Sequence, residues 1–159
     1  MVSLPRCQPL AVTSRREVFD HPDWLFEIKW DGFRAVAYVE HGRCRLVSRN
    51  DNEFQSFKSL NVVIADELKK HAALIDGEIV SIDSKCRPQF YDLMFRRGEP
   101  RFVAFDLLWF DGNDLRHSSL LDRKWRLRSL IPTASDRLLY CDHFERTACP
   151  SSTPRANTI

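Results

Sequence analysis

The order of strand and helix signals limits this chain more than any other feature of its sequence. WLFEIKW (24–30), FRAVAYVEH (33–41) and RCRLVSR (43–49) are rich in β-branched and aromatic residues, and Asp31-Gly32 and His41-Gly42 between them have turn chemistry. Together they predict an antiparallel meander. Leu60, Ile64, Leu68 and His71 then recur at helical spacing, with lysines in the last turn, where the helix dipole favours cations. Further strands are expected over ALIDGEIVSID (73–83) and RFVAFDLLWFDG (101–112), a second helix over LLDRKWRLRSLI (120–131) and a last strand over RLLYCDHF (137–144). FYDLMFR (90–96) has no decisive periodicity. Strands and helices do not alternate regularly and no segment repeats, so the expected class is α+β with mixed, mainly antiparallel sheets.

Composition narrows the function classes. With 159 residues the chain has the length of one domain, and its 43% hydrophobic and 29% charged residues are those of a globular protein. No apolar run approaches the roughly 18 residues of a membrane span, and the start, MVSLPRCQPLAVTSRREVFD, has no signal-peptide core, so a cytoplasmic protein with no membrane partner is expected. Five cysteines (Cys7, Cys44, Cys86, Cys141, Cys149) form an odd set without C-x-x-C spacing, which argues against disulfides and zinc knuckles. His21, His71 and His117 have no metal spacing. A net charge of +2 permits a polyanionic partner without requiring one.

Within FEIKWDGFR (26–34), Lys29 places a charge in an expected half-buried strand. A lone strand lysine ordinarily lays its stem on apolar neighbours and its ammonium in water. Here Trp24, Phe26, Trp30 and Phe33 are expected to desolvate the ammonium, which would lower its pKa and make it a nucleophile. Asp31-Gly32 would fix it at the mouth of a hairpin, and Arg34 and Arg49 supply planar cations suited to phosphate. A lysine nucleophile beside phosphate binders suggests covalent nucleotidyl transfer. Arg96, Arg97 and Arg101 form a basic cluster that fits a solvated face as well as DNA phosphate, and stay outside this expected site.

K-W-D-G-F-R resembles the K-x-D-G-x-R motif of the covalent nucleotidyltransferases, which include ATP-dependent DNA ligases, RNA ligases and capping enzymes. S-R-N (48–50), L-I-D-G-E-I-V (74–80) and F-V-A-F-D-L-L-W-F-D-G (102–112) follow in the family's order, and the wording of the motifs is most similar to bacterial ATP-dependent DNA ligases. The resemblance covers roughly residues 8 to 145. It implies the nucleotidyltransferase fold, with a lead-in over 1–20, a partial adenylation domain over 21–145 and a disordered tail over 146–159.

The same resemblance implies roles. Lys29 would attack the α-phosphate of ATP to give a lysyl-adenylate, in an enzyme that seals nicked or broken double-stranded DNA in repair. Glu27, on the same strand face as Lys29, would meet the adenine, while Arg34 and Arg49 would hold ribose, phosphates or the incoming 5′-phosphate. Glu78 would contact the ribose or help hold a divalent ion, Phe105 would stack on adenine, and magnesium would neutralise the triphosphate. The family's E-G-[IVL]-V-x-K and K-x-K motifs and its OB-fold domain have no counterpart in this sequence, so the resemblance implies a fold incomplete at the C-terminus. The polar tail RTACPSSTPRANTI can be reread, with suitable synonymous codons, in a shifted frame as a family-like helix, which suggests a frameshifted gene. The alternative expectation is an inactive ligase remnant that binds a nucleotide or a partner; an RNA ligase or capping-type enzyme fits the flanking words less well.

Overall fold

The computed structural model describes residues 4–7, 21 and 23–145. The expected tail, and the lead-in apart from residues 4–7, lie outside the described residues. The described chain runs through β1 (Leu25–Glu27), β2 (Phe33–Glu40), β3 (Arg43–Ser48), α1 (Lys58–Glu67), β4 (Ala73–Val80), α2 (Phe90–Met94), β5 (Arg101–Phe110), β6 (Asn113–Asp114), α3 (Leu120–Leu130), β7 (Leu138–Tyr140) and β8 (His143–Glu145), with a 3-10 turn at Gln55–Phe57 before α1. No helix among these residues is long and apolar enough to cross a membrane.

Two sheets form. The larger has the order β3-β2-β4-β5-β6, all antiparallel, with β7 running parallel to β5. The α+β, mainly antiparallel expectation therefore holds. The smaller sheet is a ribbon in which β1 pairs with β8, Leu25 opposite Glu145 and Glu27 opposite His143. Its existence corrects the expected meander. Only the second hairpin forms, through a two-residue turn at His41 (φ 52) and Gly42 (φ 68) with Glu40 opposite Arg43, the backbone signs of a type I′ loop.

The chain leaves β1 after Glu27, so Lys29 lies past the end of a strand rather than within one, and Asp31-Gly32 closes no hairpin. Gly32 has another task. Its backbone passes so close to β4 that an added Cβ would stand 2.1 Å from the Ile79 carbonyl oxygen. Gly32→Ala should therefore push the start of β2 off β4 and destabilise the fold by about 1–3 kcal/mol, the usual range for overpacking. Denaturant unfolding checks this, and a change below about 0.5 kcal/mol would show that the two backbones can part freely.

The large sheet buries one face under helices. Ala35, Ala37 and Val39 from β2, Ile75 and Ile79 from β4, and Phe102, Ala104 and Leu107 from β5 form one core with Leu60 and Ile64 of α1 and Leu127 of α3. Period-2 alternation of the strands and the i, i+4 spacing of α1 put these residues together, as the sequence predicts. α1 ends at Glu67, sooner than expected; Leu68 still packs in the core, but His71 turns away to bond Asp111 at 2.8 Å. The unassigned FYDLMFR segment forms the short helix α2. The single expected strand over 137–144 is two strands, because the chain crosses at Cys141-Asp142 from the large sheet to the ribbon.

Candidate active site

The face of the large sheet turned away from α1 carries the site, and two bulges in β5 determine what that face displays. In the β4–β5 ladder Gly77 pairs with Ala104 but Asp76 with Asp106, so Phe105 is the extra residue of a bulge; Leu108 is skipped in the same way between Leu107 and Trp109. A bulge resets the alternation of side chains. Phe105 and Asp106, although consecutive, therefore both line the cleft, after which Leu107 returns to the core. Gly77, beside the first bulge, has no room for a side chain: a Cβ would stand 2.4 Å from the Val103 carbonyl oxygen.

The cleft encloses about 480 Å³ and is lined by Glu27, Lys29, Arg34, Asp76, Glu78, Phe105, Asp106 and Arg123, among others. Of the expected site residues it collects Lys29, Glu27, Arg34, Glu78 and Phe105. Arg49 is not among its walls; it lies exposed one residue beyond the end of β3.

Lys29 is exposed, which corrects the expectation of an aromatic sleeve. Its neighbours in sequence are dispersed: Phe33 packs with Phe54, Phe57 and Phe90, Trp30 packs against Val80, Val103 and Phe105, and Trp24 remains 48% exposed. Proximity in sequence mistook residues that point to different layers for a shared shell. The stated sharing of one strand face by Glu27 and Lys29 is corrected too, since only Glu27 belongs to β1.

Arg34 is held rather than free. Its Nε donates to Asp76 Oδ1 at 2.8 Å and a terminal nitrogen donates to Oδ2 at 2.7 Å, while the guanidinium lies 4.7 Å from the centre of the Phe105 ring. Burial pushes the Asp76 carboxyl above its ordinary range against the pull of Arg34, and neighbouring Asp106 pushes in the same direction. Asp106 has its own fork, from Arg123 Nε and a terminal nitrogen at 2.8 Å each. Two opposed cross-strand aspartates are thus each neutralised by a bidentate arginine. Glu78 faces Arg34 across the β2–β4 ladder; burial raises its carboxyl while the Gly32 backbone N–H and Arg34 lower it.

Behind this floor α3 supplies two successive cations. Ser119 caps the helix by accepting the Asp122 N–H at 3.1 Å, which sets the register that sends Arg123 to Asp106 and Lys124 inward. Lys124 is fully buried; its ammonium donates to the Phe105 carbonyl at 2.9 Å and the Cys141 carbonyl at 3.3 Å, and pairs with the Glu27 carboxylate. Sequence reasoning missed Asp76, Asp106, Arg123 and Lys124 as members of the site. Charges in otherwise apolar runs, ALIDGEIV and AFDLLWF, were the available signal, but strict alternation sets Asp106 on the core face unless the bulge is known. The basic cluster at 96–101 also disperses, Arg96 bonding Ser56 Oγ at 2.9 Å, Arg97 stacking over Phe95 and Arg101 bonding the Asp136 carbonyl.

Residues 8–149 match the ATP dependent DNA ligase domain family, and the chain belongs to that family. It is 36% identical over 113 residues to the multifunctional non-homologous end joining protein LigD of Mycolicibacterium smegmatis, covering 67% of this chain and 14% of that one. It is 35% identical over 131 residues to the LigD DNA repair protein of Mycobacterium tuberculosis, covering 79% and 17%. Among solved structures the ligase domain of M. tuberculosis LigD superposes with a TM-score of 0.67 at 32% identity, over 76% of this chain and 39% of that one. A mycobacterial DNA ligase D complexed with ATP and MES gives a TM-score of 0.65 at 30% identity, over 75% and 39%. The chain thus spans less than a fifth of the full length of these relatives and about two fifths of the solved ligase domains.

Proposed function

We propose that this chain is the nucleotide-binding part of an ATP-dependent DNA ligase in which Lys29 becomes adenylated on the way to sealing nicked or broken double-stranded DNA. The observation that carries the reading is the convergence, in one cleft, of Lys29 with Glu27, Arg34, Glu78 and Phe105, in a member of the ATP-dependent ligase family. The Lys29 amine, once deprotonated, attacks the α-phosphorus of ATP; a nitrogen–phosphorus bond forms, the bond to the bridging oxygen breaks, and pyrophosphate leaves. The exposure of Lys29 leaves its amine open to a nucleotide arriving from solvent.

Glu78 is a carboxylate not already committed to an arginine fork, whereas Asp76 and Asp106 both are. Among the described residues no group of three or more metal-ligating side chains occurs. Magnesium is typically held by one or two carboxylates together with the phosphates of its nucleotide, so Glu78 fits that ion as a single protein ligand. Bound there, the ion would neutralise charge on the leaving pyrophosphate. Arg49, exposed at the end of β3, is kept for the phosphate of an incoming DNA end.

Incubation with α-labelled ATP, denaturing electrophoresis and mass mapping of the modified peptide test the reading; label on Lys29 is the expected result, and a chain that neither binds ATP nor takes label overturns it. Phe105→Ala should weaken ATP binding by about 1–3 kcal/mol if a base stacks on the ring. Arg34 already lies over one face of that ring, so a stacked base takes the other face or displaces the guanidinium. Calorimetry that finds ATP affinity unchanged in the alanine variant returns Phe105 to a packing role.

A further inference from the structure

Lys124 is buried to 0% exposure, and a buried ammonium is costly unless its donors are all met. Here three acceptors from three different places meet them: the Phe105 carbonyl on β5, the Cys141 carbonyl at the crossover between β7 and β8, and the Glu27 carboxylate at the end of β1. The Tyr140 ring closes a further side, 5.2 Å from the ammonium. The large sheet, α3 and the ribbon are therefore joined at one cation. The ribbon needs such a join, because two short strands alone are marginal in water. Glu27 is the last residue of β1, and Lys29 follows two residues later with no strand of its own to fix it.

We propose that Lys124 is the positioning residue for the nucleophile: by gripping Glu27 from the large sheet, it sets the place of Lys29 relative to Phe105 and the floor of the cleft. The inference rests on the proposed role of Lys29 in adenylation. The grip is directional as well as electrostatic. The same ammonium bonds the carbonyl of Phe105, so the cleft floor and the start of the Lys29 segment are registered to one atom. Positioning of this kind acts on rate rather than affinity, and a displacement of about 1 Å can cost about 100-fold.

The test compares the full chain with Lys124→Met, which keeps the length and apolar stem but has no ammonium. Hydrogen exchange should quicken about tenfold or more at Leu25–Glu27 and His143–Glu145, while Phe33–Glu40 and Ala73–Val80 keep their protection. Single-turnover lysyl-adenylate formation at saturating ATP should fall about 100-fold, with the dissociation constant for ATP changed less than about threefold. Glu27→Gln, at a partly exposed carboxylate, should change both readouts in the same direction by less; it reads the same link should the Lys124 variant fail to fold. Combining the two substitutions should cost no more than Lys124→Met alone, as expected when both cut one connection. Unaltered ribbon exchange, protection lost evenly across every strand, or a loss carried wholly by ATP affinity would each overturn the proposal. If the unsubstituted chain takes no label, the adenylation reading fails, while the ribbon exchange still decides whether Lys124 holds Glu27.

Discussion

Lys29→Arg should lose lysyl-adenylate formation by about 10⁴-fold or more, the scale seen when a covalent nucleophile is removed. The substitution retains the positive charge and nearly the length of the side chain, so it changes little except the ability to lose a proton. Guanidinium stays protonated at any working pH and offers no lone pair to phosphorus. Because Lys29 is exposed and outside regular strand, stability should stay within about 0.5 kcal/mol of the parent. That contrast separates a lost nucleophile from a lost fold. Label from α-labelled ATP at the parental level in the arginine variant, in this chain or a longer polypeptide containing it, would remove Lys29 from the chemistry.

Arg34→Met should destabilise the fold by about 3 kcal/mol near pH 7.5, more than Asp76→Asn does, although both break the same fork. The asymmetry follows from burial. The Asp76 side chain is 4% exposed and that of Arg34 31%, so an orphaned arginine reaches water and an orphaned aspartate does not. The sign with pH is also set. Burial and Asp106 already raise the Asp76 carboxyl, and only Arg34 and a backbone N–H oppose them, so removing Arg34 raises it further. A carboxyl with a raised folded-state pKa binds its proton more tightly when folded, so its ionisation subtracts stability as pH rises through that pKa. The deficit of Arg34→Met should therefore shrink as pH falls from 7.5 toward 5. Urea melts at both pH values check this; equal losses in the two variants, independent of pH, would mean that Asp76 reaches solvent on its own.

The parts of this fold that were legible in the sequence are those with local causes. β4, β5 and α3 were readable from apolar runs and from helical spacing, and the His41-Gly42 turn from the backbone it favours. That Lys29, Glu27, Arg34, Glu78 and Phe105 share one cleft was readable because their motifs keep a fixed order. What escaped was set by distant partners or by broken periodicity. β1 shows a strand composition over seven residues but pairs over three, since only β8 is there to meet it. Asp106 reaches the cleft through the bulge at Phe105, and a bulge leaves no mark in composition. Arg34 had the residue type expected of a phosphate ligand, yet Asp76, diagonal to it on β4, claims it. Lys124 looked like one more charge on a helix until the crossover at Cys141 closed over it.

The pairing of β1 with β8 has a consequence for the order in which the molecule takes shape. Partners that lie roughly a hundred or more residues apart must close a long loop, and non-local contacts of this type form late and slowly. During synthesis β3, β4 and β5 each find a neighbour soon after leaving the ribosome, because each pairs with a strand already made, β3 and β4 with the two edges of β2 and β5 with β4. β1 is made first and waits for residues 143–145, an interval of several seconds at a translation rate of about 5–20 residues per second. Throughout that interval the segment bearing Lys29 has no ribbon to hold it, while the floor of the cleft is already assembling. The Lys29 segment is thus the last wall of the cleft to be ordered, and any nascent or clipped chain without His143–Glu145 presents a formed sheet beside an unanchored Lys29.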